Sequence, residues 1–256
     1  MSTDGRLVDT HAHLDDEAFD GDRSGVVERA VESGVSVVLS VGVDLASSRR
    51  AVEMSTEHPS VEAAIGIHPS HADVFLQEWA GIQTLLTTGH VRAIGEIGLD
   101  YFRCRVSAAV QRRAFRAQLA TASEVDLPVV VHDREAHEDV LEDLEEFRPR
   151  GVLHCFSGGM RMAERAIELG MFVSVAGNIT YPKSSSLRDV IRELPEPSLL
   201  AETDAPFLSP RRTRGRRNEP ANVRDVVEEM ARLRQVSFDQ AASSTSRNAA
   251  RLFRWS

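Results

Sequence analysis

Lysine is almost missing from this 256-residue chain: Lys183 is the only one, and every other strongly basic side chain is an arginine. Lys183 lies outside all the apolar runs described below, so no lysine can act from the core of the fold. Cysteine is scarce as well. Cys104 and Cys155 are the only two, which excludes a disulfide-built scaffold, and neither is assigned a catalytic role. Cys155 follows His154 in an extended run, so it is expected to face the opposite way, packing against helices as a small buried hydrophobe. No apolar stretch approaches the roughly 20 residues of a membrane span. The N-terminal Met-Ser-Thr-Asp-Gly-Arg has no basic segment followed by an apolar one, so no signal peptide is expected and the cytoplasm is the expected location. A net charge of -9 leaves no surplus of positive charge for broad electrostatic grip on a duplex. Linkers, low-complexity tracts and longer repeats are also lacking.

What the chain does have is an alternation. Eight short, β-branched, apolar runs start at Leu7, Val35, Val61, Val91, Leu127, Gly151, Met171 and Ser198. The spacing leaves room for a strand, a helix and two short loops per unit, as parallel strands with helical crossovers require. The interior runs are almost continuously apolar, which is how strands covered on both faces read. Helical periodicity fills the gaps, for example Val26, Val27, Ala30 and Val31, then Ala114, Phe115, Leu119 and Ala122. Eight such units in this length predict an α/β fold of the (β/α)8 TIM-barrel type, with residues 1–256 as one domain.

Six possible metal ligands, His11, His13, Glu96, His132, His154 and Asp204, fall at or just past the ends of these runs. In a barrel enzyme the active site is at the carboxyl ends of the strands, so the six share one rim. His11 and His13 are two apart and project together from the first strand. Glu96 lies inside an apolar run, where a buried carboxylate needs a partner and a cation would be one. Four imidazoles and two carboxylates are too many for one tetrahedral site with an open position, so two divalent ions are expected. In that arrangement His11, His13 and Asp204 hold one ion, His132 and His154 the other, and Glu96 bridges. Asp204 is the expected general base, which makes Asp204 and Glu96 the catalytic pair. Glu202 is expected to lie one layer deeper, either orienting a ligand or serving as a purely structural partner. Ligation needs neutral imidazoles, so activity is expected to fall below about pH 6 to 6.5.

The motifs are His11-Ala-His13-Leu-Asp, Gly66-Ile-His68-Pro-Ser-His71-Ala, Gly95-Glu96-Ile-Gly-Leu-Asp-Tyr101, the stretch from Gln111 to Gln118 before Leu-Pro-Val-Val-Val-His132, His154-Cys-Phe-Ser-Gly158, Glu202-Thr-Asp204-Ala-Pro-Phe-Leu-Ser-Pro210 and Arg214-Gly-Arg-Arg217-Asn-Glu-Pro220. Together they resemble the TatD family of metal-dependent deoxyribonucleases, in family order from Leu7 to about Arg251. The resemblance implies a metallo-dependent hydrolase barrel with two divalent cations that hydrolyses phosphodiesters of DNA, often as a 3'-to-5' exonuclease. It suggests Mg2+ or Mn2+ in turnover, while a histidine-rich ligand set also suits Zn2+. It implies no membrane role, and no protein partner is expected.

Substrate contacts are sought on the same rim. His68 and His71 either donate to a phosphate oxygen or, for His71, cap the following helix. Five arginines fall within residues 211–217, and Arg211, Arg214 and Arg217 are the expected phosphodiester clamp. Tyr101 either stacks on a base or packs under its loop. The acidic balance favours contact with a DNA strand end and a few nucleotides. The rival enzyme is an amidohydrolase-like lactonase or deacylase; those that bridge with carbamylated lysine are excluded because Glu96 holds the bridging position, whereas glutamate-bridged ones are not. A metal-stabilised binding platform is the non-enzyme alternative, and open coordination positions argue against it.

Overall fold

All eight apolar runs become strands in the computed structural model, which describes residues 6–102 and 105–255; Cys104 lies outside them. The strands are β1 (Leu7–Ala12), β2 (Val35–Val41), β3 (Val61–Ile65), β4 (Val91–Asp100), β5 (Val129–Arg134), β6 (Gly151–Leu153), β7 (Met171–Val175) and β8 (Leu199–Ala201). Helices α1 (Arg23–Glu32), α2 (Leu45–Glu57), α3 (Phe75–Leu85), α4 (Ala108–Glu124), α5 (His137–Phe147), α6 (Met160–Glu168) and α7 (Ser185–Glu193) connect them in turn. Two more, α8 (Val223–Arg234) and α9 (Phe238–Phe253), follow β8. Each strand pairs in parallel with the next, in the order β1 to β8, giving the (β/α)8 barrel.

The seam between β8 and β1 is built from residues beyond the regular strand pairing. Asp204 N donates to His11 O at 2.9 Å and His13 N to Ala205 O at 2.7 Å. The fully buried Asp9 completes it, accepting from Thr203 N at 2.9 Å and Thr203 Oγ1 at 2.6 Å. The contacts that close the barrel are therefore the ones that hold His11, His13 and Asp204 side by side.

Inside, Val8, Leu39, Ala64, Val130, Val152 and Leu200 form one buried cluster with Leu252, Phe253 and Trp255, so the end of α9 and the residues after it pack against the barrel's inner residues. Outside, helices present the apolar faces their spacing predicts: Ala114, Phe115, Leu119 and Ala122 of α4 are buried. Burial of each large aliphatic side chain contributes about 1.5–3 kcal/mol. Helix starts are fixed locally by capping boxes, Asp44 with Ser47 on α2 and Ser237 with Gln240 on α9. Among the described residues, no helix is long and apolar enough to cross a membrane.

At Gly98, β4 and β5 approach so closely that an added Cβ would stand 2.0 Å from His132 O, at a φ of +144° that side-chain-bearing residues rarely adopt. Only glycine lets β4 carry Glu96 this close to His132. Gly98→Ala should lower stability by at least about 3 kcal/mol in urea unfolding; a loss under about 1 kcal/mol would show that the two strands separate freely at this point.

Candidate metal centre

Glu96 stands at the middle of the rim with its side chain 3% exposed. Five imidazoles surround it: His132 Nδ1 at 2.7 Å and His154 Nε2 at 2.8 Å from Oε1, His68 Nε2 at 3.5 Å from Oε1, and His11 Nε2 and His13 Nε2 each at 3.5 Å from Oε2. The two carboxylate oxygens thus face two different nitrogen groups. On the Oε2 side, His11 Nε2 and His13 Nε2 are 3.2 Å apart and Asp204 Oδ1 lies 3.8 and 3.5 Å from them. On the Oε1 side, His132 Nδ1 and His154 Nε2 are 3.2 Å apart. Donor atoms of His11–His13–Asp204, of His68–Glu96–His132 and of His11–His154–Glu202 each lie within 4.8 Å of one another.

Neighbouring groups decide which ring nitrogen faces inward. His13 Nδ1 donates to Val41 O at 3.0 Å; a carbonyl only accepts, so Nδ1 carries a proton and Nε2 is the nitrogen that faces the centre. The rings of His11 and His154 stack nearly parallel, 4.0 Å apart, and donor atoms of both lie within 4.8 Å of the fully buried Glu202. His154 Nδ1 lies 3.3 Å from Glu202 Oε1, which also accepts from Cys155 N at 2.7 Å. His132 Nε2 points at Asp100 Oδ2, 3.4 Å away. His68 has the opposite polarity: Nδ1 accepts from Ser70 N at 3.1 Å, so in the neutral ring Nε2 carries the proton and acts as a donor.

Main-chain bonds position these side chains. Glu96 N donates to Gly42 O and His68 N to Val43 O, each at 2.9 Å. The buried amides of α4 reach both strand ends: Gln118 bonds Ile67 N at 2.8 Å and Ile67 O at 3.0 Å, while Gln111 bonds Asp100 N at 2.8 Å and Asp100 O at 2.9 Å. Asp204 has φ +56°, a left-handed conformation costing a non-glycine residue about 1–3 kcal/mol, and the seam bonds hold it there.

The charge pattern follows from this packing. Burial pushes the Glu96 carboxyl up, but the surrounding histidines, His154 first, outweigh it and hold it well below the usual range. Asp204 is also held low against its burial, by the His13 hydrogen bond and the nearby rings. Burial opposes charge on His13, yet Asp204 and Glu96 outweigh it and raise its pKa to about 9. His132 and His154 are likewise raised against burial, by Asp100 with Glu96 and by Glu96 with Glu202. His11 is lowered by burial and by His154. Burial brings His68 down to about 3. Without metal, then, the centre keeps protons on nitrogens that face its carboxylates. Convergent nitrogens against ionised carboxylates are the donor set for a divalent cation of the zinc, manganese or iron type, so these residues fit metal.

The structure gathers all six expected ligands in one place and Glu202 behind them. Other expected contacts fall elsewhere. Tyr101 donates to Asp139 Oδ2 at 2.7 Å, outside the cleft. Arg217 is paired with Asp22 at 2.7 Å and Glu219 at 2.8 Å, and Arg214 lies 4.8 Å over the Tyr181 ring. Arg211 borders a separate groove with Arg212 and Asp225. None of the three lines the cleft above the centre, because acidic groups and aromatic rings outside it surround the arginine loop. The cap on the turn after β3 is made by His68, through Ser70 N, and not by His71. Cys155 departs from its expected place: β6 ends at Leu153, Cys155 takes φ +44°, and the residue turns half-buried into the cleft instead of facing the helices. Asp100 was overlooked in the sequence, although it lies four residues after Glu96 on the same strand face. Arg134, Asn178 and Phe207, also lining the 680 Å³ cleft, carried no sequence signal of their own.

Comparison with known proteins follows the same lines. The family model of TatD related DNases matches residues 8–254. The chain is 41% identical to an uncharacterised metal-dependent hydrolase, YabD, of Bacillus subtilis, covering 97% of this chain and 99% of that one. It is 37% identical to a 3'-5' ssDNA/RNA exonuclease, TatD, of Erwinia tasmaniensis, covering 96% and 99%. The crystal structure of YJJV, a TatD homologue from Escherichia coli, superposes with a TM-score of 0.92 at 34% identity, covering 98% and 99%.

Two outcomes follow from this geometry. The proton on His13 must leave before its Nε2 can bind metal, so apparent affinity for Mn2+ or Zn2+ should climb as pH rises from 6 and level off near 9, not near 6.5 as unperturbed histidine would give. Calorimetry across that range, in buffers of differing ionisation heat, should show proton release on binding; an affinity flat above pH 7 would contradict the account. Separately, Glu202→Gln should weaken metal binding about 10- to 100-fold while the protein stays folded by circular dichroism, and unchanged affinity would reduce Glu202 to a structural role.

Proposed function

The chain belongs to the TatD related DNase family, and on that premise we propose that it is a 3'-to-5' exonuclease that hydrolyses DNA phosphodiesters at a two-metal centre. As a member it is a metal-dependent hydrolase acting on ester bonds. The observation that carries the finer reading is the division of Glu96: one oxygen faces His11, His13 and Asp204, the other faces His132 and His154, at the floor of an open cleft.

His11, His13 and Asp204 would hold one ion and His132 and His154 the other, with Glu96 between. The ions, Mg2+ or Mn2+ in turnover with Zn2+ as another occupant, would supply charge neutralisation at the phosphoryl group and a lowered pKa for attacking water. Asp204 is the general base. Its carboxylate is kept ionised at neutral pH by His13 and the neighbouring rings, so it can accept the water proton. His68, neutral and with a proton on Nε2, donates to a phosphate oxygen at the same centre. Glu202 and Asp100 orient His154 and His132 from behind. We further propose that residues 1–256 act as one catalytic domain in the cytoplasm, on strand ends, without a protein partner.

The arginine run does not separate a phosphodiester from a small ester, since Arg211, Arg214 and Arg217 lie away from the cleft. The decisive experiment gives chelator-stripped protein a 5'-labelled single-stranded oligonucleotide beside a lactone substrate. Stepwise shortening should return with Mg2+ or Mn2+ and fall about 100- to 10,000-fold in kcat in Asp204→Ala and Glu96→Ala. Lactone hydrolysis without oligonucleotide cleavage, under any of these metals, would overturn the nuclease reading.

A further inference from the structure

The turn after β3 holds a short row of hydrogen bonds that the binding of metal does not need. His68 Nδ1 lies 2.7 Å from Ser70 Oγ, and Ser70 Oγ lies 3.2 Å from His71 Nδ1. His68 caps this turn, and its Nδ1 also accepts from Ser70 N at 3.1 Å. An amide N–H only donates, so Nδ1 is bare in the neutral ring and Ser70 Oγ directs its one proton at it. The serine oxygen is then left to accept, and the proton between it and His71 belongs to His71 Nδ1. Every bond in the row therefore points the same way, from His71 through Ser70 to His68. It ends at His68 Nε2–H, 3.5 Å from Glu96 Oε1, and begins at His71, half-buried in the lining of the cleft where water reaches it.

Asp204 and His68 stand at opposite ends of Glu96. Asp204 is with His11 and His13 on the Oε2 side, and His68 is on the Oε1 side. Cleavage of an ester by water needs a base where the water attacks and an acid where the oxygen leaves, and an in-line displacement at phosphorus puts those places on opposite sides. A neutral imidazole that gives up its only proton becomes an anion, so His68 serves as that acid only if its other nitrogen is refilled. We propose that His68, Ser70 and His71 form a proton relay that protonates the leaving oxygen of the hydrolysed ester. As the P–O bond to that oxygen breaks, the oxygen takes the Nε2 proton of His68. Nδ1 of His68 takes the hydroxyl proton of Ser70, Ser70 takes the Nδ1 proton of His71, and a water molecule refills His71 at Nε2. Each ring gains one proton as it loses one, so neither changes charge. The hydroxide left behind is neutralised by the attacking water's own proton when Asp204 releases it. Ser70 N then restores the starting order, because a proton left on His68 Nδ1 would face another donor. The inference rests on the family's ester hydrolysis and, for a sugar oxygen as leaving group, on the nuclease reading.

The test compares two oligothymidylates that differ in one bridging atom. In one the terminal linkage leaves through a 3' oxygen, in the other through a 3' sulfur, a thiolate that departs without a proton. In single turnovers of Mn2+-loaded protein, Ser70→Ala and His71→Gln should each slow the oxygen-bridged strand about 100-fold. Glutamine still donates to Ser70 but cannot pass a proton on. On the sulfur-bridged strand both losses should shrink to under about threefold, and Ser70→Thr, which keeps the hydroxyl, should recover most of the oxygen-bridged rate. Equal losses on the two strands, as expected if Ser70 and His71 only brace the turn, would overturn the proposal. So would 15N NMR of the Zn2+-loaded protein at rest if it found the proton on His68 Nδ1 or a bare Nδ1 on His71. If the unaltered protein shortens neither strand but hydrolyses a lactone, the nuclease reading fails alone, and the same comparison on that lactone and its thiolactone decides the relay.

Discussion

One buried carboxylate organises this molecule. Glu96 is 2% exposed, and a carboxylate removed from water at that depth is unfavourable by several kcal/mol unless charge surrounds it. The chain meets that demand with five imidazoles from the ends of β1, β5 and β6 and from the turn after β3. Five rings cannot be held around one group by long, mobile side chains. They are held because each comes from a strand end of a closed barrel, where the backbone is already fixed.

The scaffold is correspondingly rigid where it meets the centre. The β1–β8 seam relies on Asp9, whose acid burial pushes up to about 8 even though Thr203 and the His11 amide bond it. Buried glutamines of α4 bind the main chain ahead of His68 and at Asp100. Left-handed Asp204 and Cys155 add local strain at the candidate metal centre, as is common at functional sites. Above this floor the character changes, and the cleft walls carry exposed Phe207 and Arg134 on fixed backbone.

Much of this was legible in the sequence. Eight apolar runs became eight strands, because burial on both faces leaves a continuous β-branched signature that helices do not share. The six ligand candidates were legible because chemistry at the rim requires His, Asp and Glu where the barrel would otherwise place apolar residues. Asp100 shares that signature and escaped notice only because it closes its run. The substrate contacts were not legible in the same way. Five arginines in seven residues look like a phosphate site, yet whether a guanidinium is free depends on carboxylates such as Asp22 and Asp225, distant in sequence and brought near only by folding. Cys155 was misplaced because strand parity was extended past Leu153, where β6 ends and a left-handed residue reverses the direction. Phe207 resembles any surface phenylalanine until the fold puts its face beside Asp204.

The central claim is that Glu96 divides its two oxygens between two ions. Anomalous diffraction from a Mn2+-soaked crystal tests it most directly. The account predicts two peaks about 3.5–4 Å apart, one bounded by His11, His13 and Asp204 and the other by His132 and His154, with Glu96 reaching both. A single peak, or a second one ligated by His68 in place of His154, would contradict it.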